Sequence, residues 1–313
     1  MSVMPQPQDF ERHLDIRSAA LCDPEGVHRD LAQWNHRRLS PSTPHESWQR
    51  DLREDCRMLW LEGMWIESFR DEVVAQAAAA PSDPAGFIAW FRDLERQGPG
   101  QHDPLFDWLA ARANAAEMNW FLEQEAAGEA GFDDLVALTQ VKLPTQAKLE
   151  LARNYWDEMG RGNLGGMHGP MLERAIQSLD LHPTIEDTEW ESLALANTLT
   201  AFATTRRYAW HAVGALGVVE LTAPGRVAKV GLGLKRLGHP PVVRKYFELH
   251  AMLDVKHADD WIANCLHPLL EEDPGRARFI AEGALMRLIC GARCFEAYRG
   301  HFWASQPPAL AAE

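Results

Sequence analysis

Residues 246–257 read YFELHAMLDVKH, and this stretch determines how we interpret the chain. His250, Asp254 and His257 stand at positions i, i+4 and i+7. An α-helix turns by about 100° per residue, so the three side chains fall within roughly 60° on one helix face. Two imidazoles and a carboxylate on one face can hold Fe, Mn or Zn, and this ligand mixture suits non-haem iron in particular. The plainer interpretation is a solvated polar face, or core histidines bonded to the backbone.

Outward from this stretch, apolar residues recur at helical spacing, and alternating β-branched runs are missing. The pattern predicts an all-α, bundle-like chain with helices over about 46–79, 84–97, 104–126, 132–139, 145–159, 168–178, 187–221, 224–237, 241–271 and 274–302. No clear boundary interrupts this series. We therefore interpret the chain as one domain, a bundle over residues 101–305, preceded by an N-terminal arm and helical extension (1–100) and followed by a tail (306–313).

Composition excludes several classes of protein. The chain has 313 residues and a formal net charge of −14, which argues against a general nucleic-acid binder. The central apolar run Ala212–Val219 is too short for a bilayer, which needs about 20 residues. The N-terminal residues lack the pattern of a signal peptide, and the 5 cysteines form no disulfide framework. We expect a reduced cytoplasmic setting and no membrane partner.

Further candidate ligands lie outside the 246–257 stretch. Glu220 follows the apolar run, where an unpaired buried carboxylate is costly, although it could instead face solvent near a helix end. Glu158 and His168 enclose a segment with four glycines. A straight helix would separate these two residues by about 15 Å, but a break at the glycines could bring His168 back. The alternative is a common glycine-rich helix terminus. Glu123 and Glu125 lie in an apolar helix, where one could face inward or both could be solvated.

As a set, these motifs resemble a known family. Glu158-Met-Gly-Arg-Gly followed by His168, with Glu220 thirty residues before the H-x3-D-x2-H motif, is similar to the haem-oxygenase-like di-iron oxidases and oxygenases. The members are also described as iron-containing redox enzymes. The resemblance covers roughly residues 105–300. It implies a compact bundle of about seven helices, shared with haem oxygenase and thiaminase-type proteins, here with an N-terminal helical extension.

The resemblance also implies a cofactor and its ligands. The cofactor would be two Fe(II) ions that react with O2, without haem. The implied iron ligands are Glu158, His168, Glu220, His250, Asp254 and His257. An additional glutamate from the preceding helix is expected, for which Glu125 is our choice and Glu123 the fallback.

The implied activity is that of an O2-dependent non-haem di-iron oxidoreductase in specialised metabolism. It would oxidise a small metabolite by N-oxygenation of an amino-acid-like amine, by desaturation or by C–C scission. A fatty-acid oxidase or decarboxylase, a metal-free thiaminase-like enzyme and a non-enzymatic binding protein are the alternatives. We expect Tyr208, His211 and Arg207 to line the substrate pocket, unless they are packing aromatics and surface arginines. An external electron donor and a homodimer are the further partners we consider.

Overall fold

The computed structural model describes residues 23–128 and 131–303, and within these ranges the secondary structure is entirely helical. The α-helices are α1 Pro24–Leu39, α2 Trp48–Ala77, α3 Pro84–Gln97, α4 Pro104–Ala111, α5 Ala115–Gly128, α6 Phe132–Thr139, α7 Thr145–Glu158, α8 His168–Ser178, α9 Trp190–Thr204, α10 Ala209–Arg236, α11 Pro241–Trp261, α12 His267–Glu272 and α13 Ala277–Trp303. Short 3-10 turns cover Gly160–Gly162, Leu164–Gly166, Arg206–Tyr208 and Pro274–Arg276, and a π-helical turn, Ile262–Leu266, joins α11 to α12. The predicted all-α class is confirmed.

Helix α10 is the centre of the bundle and packs against α11 on one side and α13 on another. Glycines allow the backbones of α10 and α13 to touch. A Cβ at Gly214 would lie 1.9 Å from the carbonyl oxygen of Ile280, and a Cβ at Gly283 would lie 2.0 Å from that of His211. Only glycine fits at these two contacts, and they set the position of α10 relative to α13.

Several predicted helix boundaries were wrong. The predicted helix 187–221 is interrupted at Thr205, whose backbone is extended, and at the 3-10 turn Arg206–Tyr208. The predicted helix 104–126 is interrupted at Asn114. The Asn114 side chain accepts a hydrogen bond from the backbone N–H of Glu117, and the Glu117 carboxylate accepts one from the backbone N–H of Asn114. This reciprocal capping box starts a new helix. The predicted break before Pro224 does not occur, because α10 continues through the proline. Pro224 has no N–H, so the carbonyl of Glu220 lacks its usual partner four residues on.

The N-terminal helices pack directly on the bundle. Helix α1 contacts α9, where Asn35 donates to the side chain of Asn197 at 2.9 Å, and α2 contacts α13. Ile66 and Phe69 of α2 belong to the same buried core as Val213 of α10. Residues 1–22 of the predicted arm and the predicted tail, 306–313, lie outside the described residues. No helix within the described ranges is both long and apolar enough to span a membrane.

Candidate metal centre

Four helices bring six buried acidic and histidine side chains to one region. They are Glu158 at the end of α7, His168 at the start of α8, Glu220 in α10, and His250, Asp254 and His257 in α11. Donor atoms of five of them, all except Asp254, form two groups of three in which all atoms lie within 4.8 Å of one another. One group contains Glu158, His168 and His250, and the other contains Glu158, Glu220 and His257. Glu158 therefore belongs to both groups.

The glycine-rich loop between α7 and α8 brings Glu158 and His168 together. Gly160 has a left-handed φ of 58°, and a Cβ there would lie 2.4 Å from the carbonyl carbon of Gly166. This close approach folds the chain back on itself within two short turns. As a result, His168 Nδ1 lies 2.7 Å from Glu158 Oε2. The sequence left open whether these glycines only end a helix, and the structure shows that they also make the two side chains converge.

His250 is oriented as a neutral ligand. Its Nδ1 lies 2.7 Å from the carbonyl oxygen of Tyr246, which can only accept a hydrogen bond. In the neutral ring, the proton therefore resides on Nδ1, and Nε2 keeps a free lone pair. The ring packs edge-on against His168, with 4.5 Å between centroids. Burial, together with the nearby His168 ring, lowers the pKa of His250 to about 4, so the neutral form prevails at pH 7.

His257 lies among carboxylates. Its Nδ1 is 3.4 Å from Glu220 Oε2 and 3.9 Å from Asp254 Oδ1, and both distances are longer than a good hydrogen bond. Its other ring nitrogen, Nε2, is 3.2 Å from Asp157 Oδ2. Burial opposes the charged form, but Glu220 and Asp157 outweigh it and raise the pKa of His257 to about 9. Two buried carboxylates converging on one nitrogen create a position suited to a cation, and a mixed imidazole–carboxylate set suits iron.

Two neighbouring side chains that the sequence reasoning missed hold the ligands in place. Asn154 donates from Nδ2 to Glu220 Oε1 at 2.5 Å, and Asp157 contacts His257 and accepts from Arg161 Nε at 2.6 Å. Asn154 lies four residues before Glu158, hence on the same face of α7. That spacing was a usable signal for Asn154, whereas the contact of Asp157 with α11 was not readable from the sequence.

A cavity of about 120 Å³ adjoins the two groups. It is lined by Glu158, His168, Glu220, His250 and Asp254, and also by Asp133 and Tyr246. Asp133, at the start of α6, is a further carboxylate that the sequence reasoning did not select. The candidate ligands thus face open space that a small molecule could enter.

The structure places Glu125 outside both groups. Its Oε1 accepts a hydrogen bond from the Tyr298 hydroxyl at 3.2 Å, and the side chain lines a neighbouring cavity. Glu123, the fallback, is half-buried on the same helix and is likewise in neither group. Among the described residues, the carboxylate from this part of the chain that reaches the metal-centre cavity is Asp133.

Tyr208, His211 and Arg207 also lie elsewhere. Tyr208 and Arg207 both donate to Glu67 Oε1, at 2.9 and 2.7 Å, and His211 Nε2 lies 2.9 Å from the buried Glu282. None of the three lines the metal-centre cavity or the neighbouring cavity that Glu125 lines. His211 precedes Glu220 by nine residues, which is about 14 Å along α10 and about 180° around its axis, so the two side chains leave the helix on opposite faces. In this structure the three side chains pack and form ion pairs, and their role in substrate binding stays a prediction.

Comparisons with known proteins agree with this architecture. The family described as iron-containing redox enzyme matches residues 119–292, a range that includes all five side chains of the two groups and Asp254. No curated protein matches the chain. A crystal structure from Shewanella denitrificans OS217, of a domain of unknown function with a heme oxygenase-like fold, aligns with 72% of this chain and 95% of its own. The TM-score is 0.50 and the identity 16%, which confirms the predicted haem-oxygenase-like fold.

Proposed function

The chain belongs to the iron-containing redox enzyme family, and we propose that it is a non-haem di-iron oxidase or oxygenase that uses O2 to oxidise a small organic substrate. The observation that carries the proposal is the membership of Glu158 in both three-residue groups. A carboxylate has two oxygen atoms, so one glutamate can serve two adjacent ions. Imidazole and carboxylate ligands with open positions are typical of non-haem iron sites that react with O2.

The proposal assigns the ligands to two ions. Glu158, His168 and His250 would hold one ion, and Glu158, Glu220 and His257 the other, with Asp254 beside His257. When bound, the iron supplies the electrons and the open coordination positions that O2 activation requires.

The protein's own residues orient the ligands and balance their charge. The Tyr246 carbonyl fixes the proton of His250 on Nδ1, which leaves Nε2 facing the centre. Asp157 contacts Nε2 of His257, which leaves Nδ1 of that ring facing the centre. In the metal-free protein, protonated His257 offsets the surrounding negative charge at neutral pH. A bound cation takes over this role, so metal binding releases that proton.

Apolar side chains of α10 form part of the wall of the cavity beside the ligands. Val219, Ala223 and Val227 line this cavity together with the candidate ligands. Such walls exclude water from the reacting groups, and a dry pocket strengthens the interactions of the charged groups inside.

The test is an anaerobic Fe(II) titration followed by exposure to O2. We expect about two ions per chain and rapid O2 consumption by the wild-type protein. Glu158→Gln should abolish binding of both ions, whereas His250→Ala and Glu220→Gln should each remove one. Glu248→Gln is the matched control, since this carboxylate also lies on α11 but pairs with Arg244.

Saturation at a single ion, or unchanged stoichiometry in Glu158→Gln, would refute the di-iron proposal. Absence of any saturable iron binding would instead favour a metal-free relative or a binding protein. Circular dichroism of each variant separates loss of ligands from loss of the fold.

A further inference from the structure

The helices that carry the candidate ligands also expose apolar side chains to solvent. Trp156 lies two residues before Glu158 on α7, and Met252 lies two residues before Asp254 on α11. Leu164, in the loop between α7 and α8, is 75% exposed, and Met252 is 72% exposed. We call this surface the α7–α11 face, and its exposed large apolar side chains are Leu149, Trp156, Leu164, Met252 and Val255.

Direct contacts make the α7–α11 face continuous. The Trp156 ring lies against the loop, since a Cβ at Gly162 would be 3.0 Å from it. On the other side of the loop, the carbonyl oxygen of Gly165 accepts a hydrogen bond from Lys245 of α11 at 3.4 Å. Met252 follows Lys245 by seven residues and therefore lies on the same side of α11. The apolar side chains of the two helices thus belong to one surface that the loop connects.

Ion pairs on this face direct their basic members towards solvent. In three pairs the base is 60–68% exposed and the acid only 5–34% exposed, namely Arg153–Glu150, Arg161–Asp157 and Lys256–Asp260. Glu248, which is 48% exposed and pairs with Arg244, is the exception among these ion pairs. The whole chain has a formal net charge of −14, so the outward positive charge is a local property of this face.

The composition of the α7–α11 face is typical of a protein-binding surface. Trp, Met and Arg are enriched in interfaces between proteins, and grouped exposed apolar side chains mark docking sites. Outward basic groups attract a partner whose surface is acidic. Two helix faces and one loop form a small contact, and electron-transfer complexes are among the smallest, at less than about 1,200 Å² of buried surface.

The α7–α11 face is close to the candidate metal centre but separate from its cavity. Arg161 Nε donates to Asp157 at 2.6 Å, and Asp157 Oδ2 lies 3.2 Å from Nε2 of His257, so one layer of side chains separates the face from a candidate ligand. Within the described part of the chain, the metal-centre cavity is lined by residues other than the five exposed apolar side chains. A partner can therefore dock on this face while a substrate occupies the cavity.

We propose that the α7–α11 face is the docking surface for a small acidic protein that carries one electron at a time. That the electron passes to the metal centre rests on the proposed function, whereas the docking does not. Each encounter would oxidise the carrier by one electron and reduce one Fe(III) to Fe(II). Two encounters would therefore restore two Fe(II) ions, and no atom or proton is transferred between the proteins.

The test is isothermal titration calorimetry of the metal-free protein with an acidic [2Fe–2S] ferredoxin. We expect saturable binding of one ferredoxin per chain at low ionic strength, and binding about tenfold or more weaker at about 0.3 M salt. Met252→Glu and Lys256→Glu should each weaken the binding about tenfold or more. Leu52→Glu and Arg50→Glu are the matched controls, because these side chains are 53% and 76% exposed on α2, and both variants should bind as the wild type does.

Failure of ferredoxin to bind at low ionic strength, or equal losses in the α2 controls, would overturn the proposal. Equal affinity for acyl carrier protein, which is acidic but carries no electron, would also overturn it. So would a dimer in sedimentation velocity that Met252→Glu dissociates, because the face would then bind a second copy of this chain.

The iron-loaded protein separates docking from electron transfer. Lys256→Glu should slow the oxidation of reduced ferredoxin about tenfold or more, whereas reduction of the same protein by dithionite should keep its wild-type rate. Ferredoxin binding without any oxidation of the reduced ferredoxin would support the docking surface and count against the proposed function. A failure of either part is thus distinguishable from a failure of the other.

Discussion

The loop between α7 and α8 provides the sharpest test of how the fold makes the metal centre. We consider Gly160→Ala, which adds one methyl group outside the candidate ligand set. Gly160 has a φ of 58°, and its new Cβ would lie 2.4 Å from the carbonyl carbon of Gly166 and 2.7 Å from its oxygen. Both obstacles are backbone atoms, so no side-chain rotation can relieve the contact.

The magnitude follows from these distances. An alanine in the left-handed region costs about 1–2 kcal/mol. An ordinary contact begins at 3.4 Å, so the two backbone segments must separate by about 1 Å. Metal–ligand distances tolerate only about 0.2 Å, and this loop holds Glu158 within 2.7 Å of His168. We therefore expect a loss of stability of about 1–3 kcal/mol and an iron affinity lower by about tenfold or more.

The assay combines urea unfolding with Fe(II) titration of the same protein preparations. Gly169→Ala is the matched control because it lies beside His168 in α8, and a Cβ there meets nothing within 4 Å. This control should retain iron binding and gain up to about 1 kcal/mol, since alanine restricts the unfolded chain. Wild-type stability and iron affinity in Gly160→Ala would refute the argument that the close approach in this loop brings the two ligands together.

Three further perturbations test other parts of the structure. Asp157→Ala should weaken iron binding by about 10–100-fold in titrations while helix content by circular dichroism stays unchanged, because His257 loses the partner of its Nε2. Gly283→Ala should destabilise the protein by about 1–3 kcal/mol in urea unfolding, since its Cβ would lie 2.0 Å from the carbonyl oxygen of His211 in α10. Gly300→Ala on the same helix is the control, because a Cβ there has no neighbour within 4 Å, and it should not destabilise the protein. Burial, together with Arg293, lowers the pKa of His28 from 6.5 to about 3. As the pH drops below 6.5, the His28 imidazole is protonated in the unfolded chain but not in the folded protein, so the free energy of unfolding falls. At pH 5 the loss should be about 2 kcal/mol, and His28→Asn should lack this component of the pH dependence; an identical pH profile in the variant would contradict it.

Local patterns in the sequence predicted the helices well where apolar periodicity and proline coincide. The helix Pro84–Gln97 was placed at its observed bounds, because Pro84 begins it and the apolar pattern ends at Gln97. Pro224 misled the same reasoning. Proline weakens a helix by removing one hydrogen bond, but the packing of α10 between α11 and α13 outweighs this loss.

The choice of a glutamate from the preceding helix shows where the sequence reasoning ended. Glu125 and Glu123 were selected because the family resemblance implies a glutamate ligand from the preceding helix, and both lie in an apolar helix there. In the structure, α5 directs Glu125 to the neighbouring cavity, which Arg226 and Arg287 also line, whereas Asp133 of α6 lines the metal-centre cavity. Which carboxylate reaches which cavity depends on how each helix is rotated and tilted against its neighbours. A single sequence does not contain that information in readable form.

The sequence alone determined the elements whose geometry is local. The spacing of His250, Asp254 and His257 places them on one face because a helix has a fixed rotation per residue, and the glycines after Glu158 allow the chain to fold back. Tertiary structure alone decided that Glu158 is shared by two groups and that Arg226 and Arg287 face one cavity. These residues come from separate helices, and their meeting depends on close packing between helices that local periodicity does not encode.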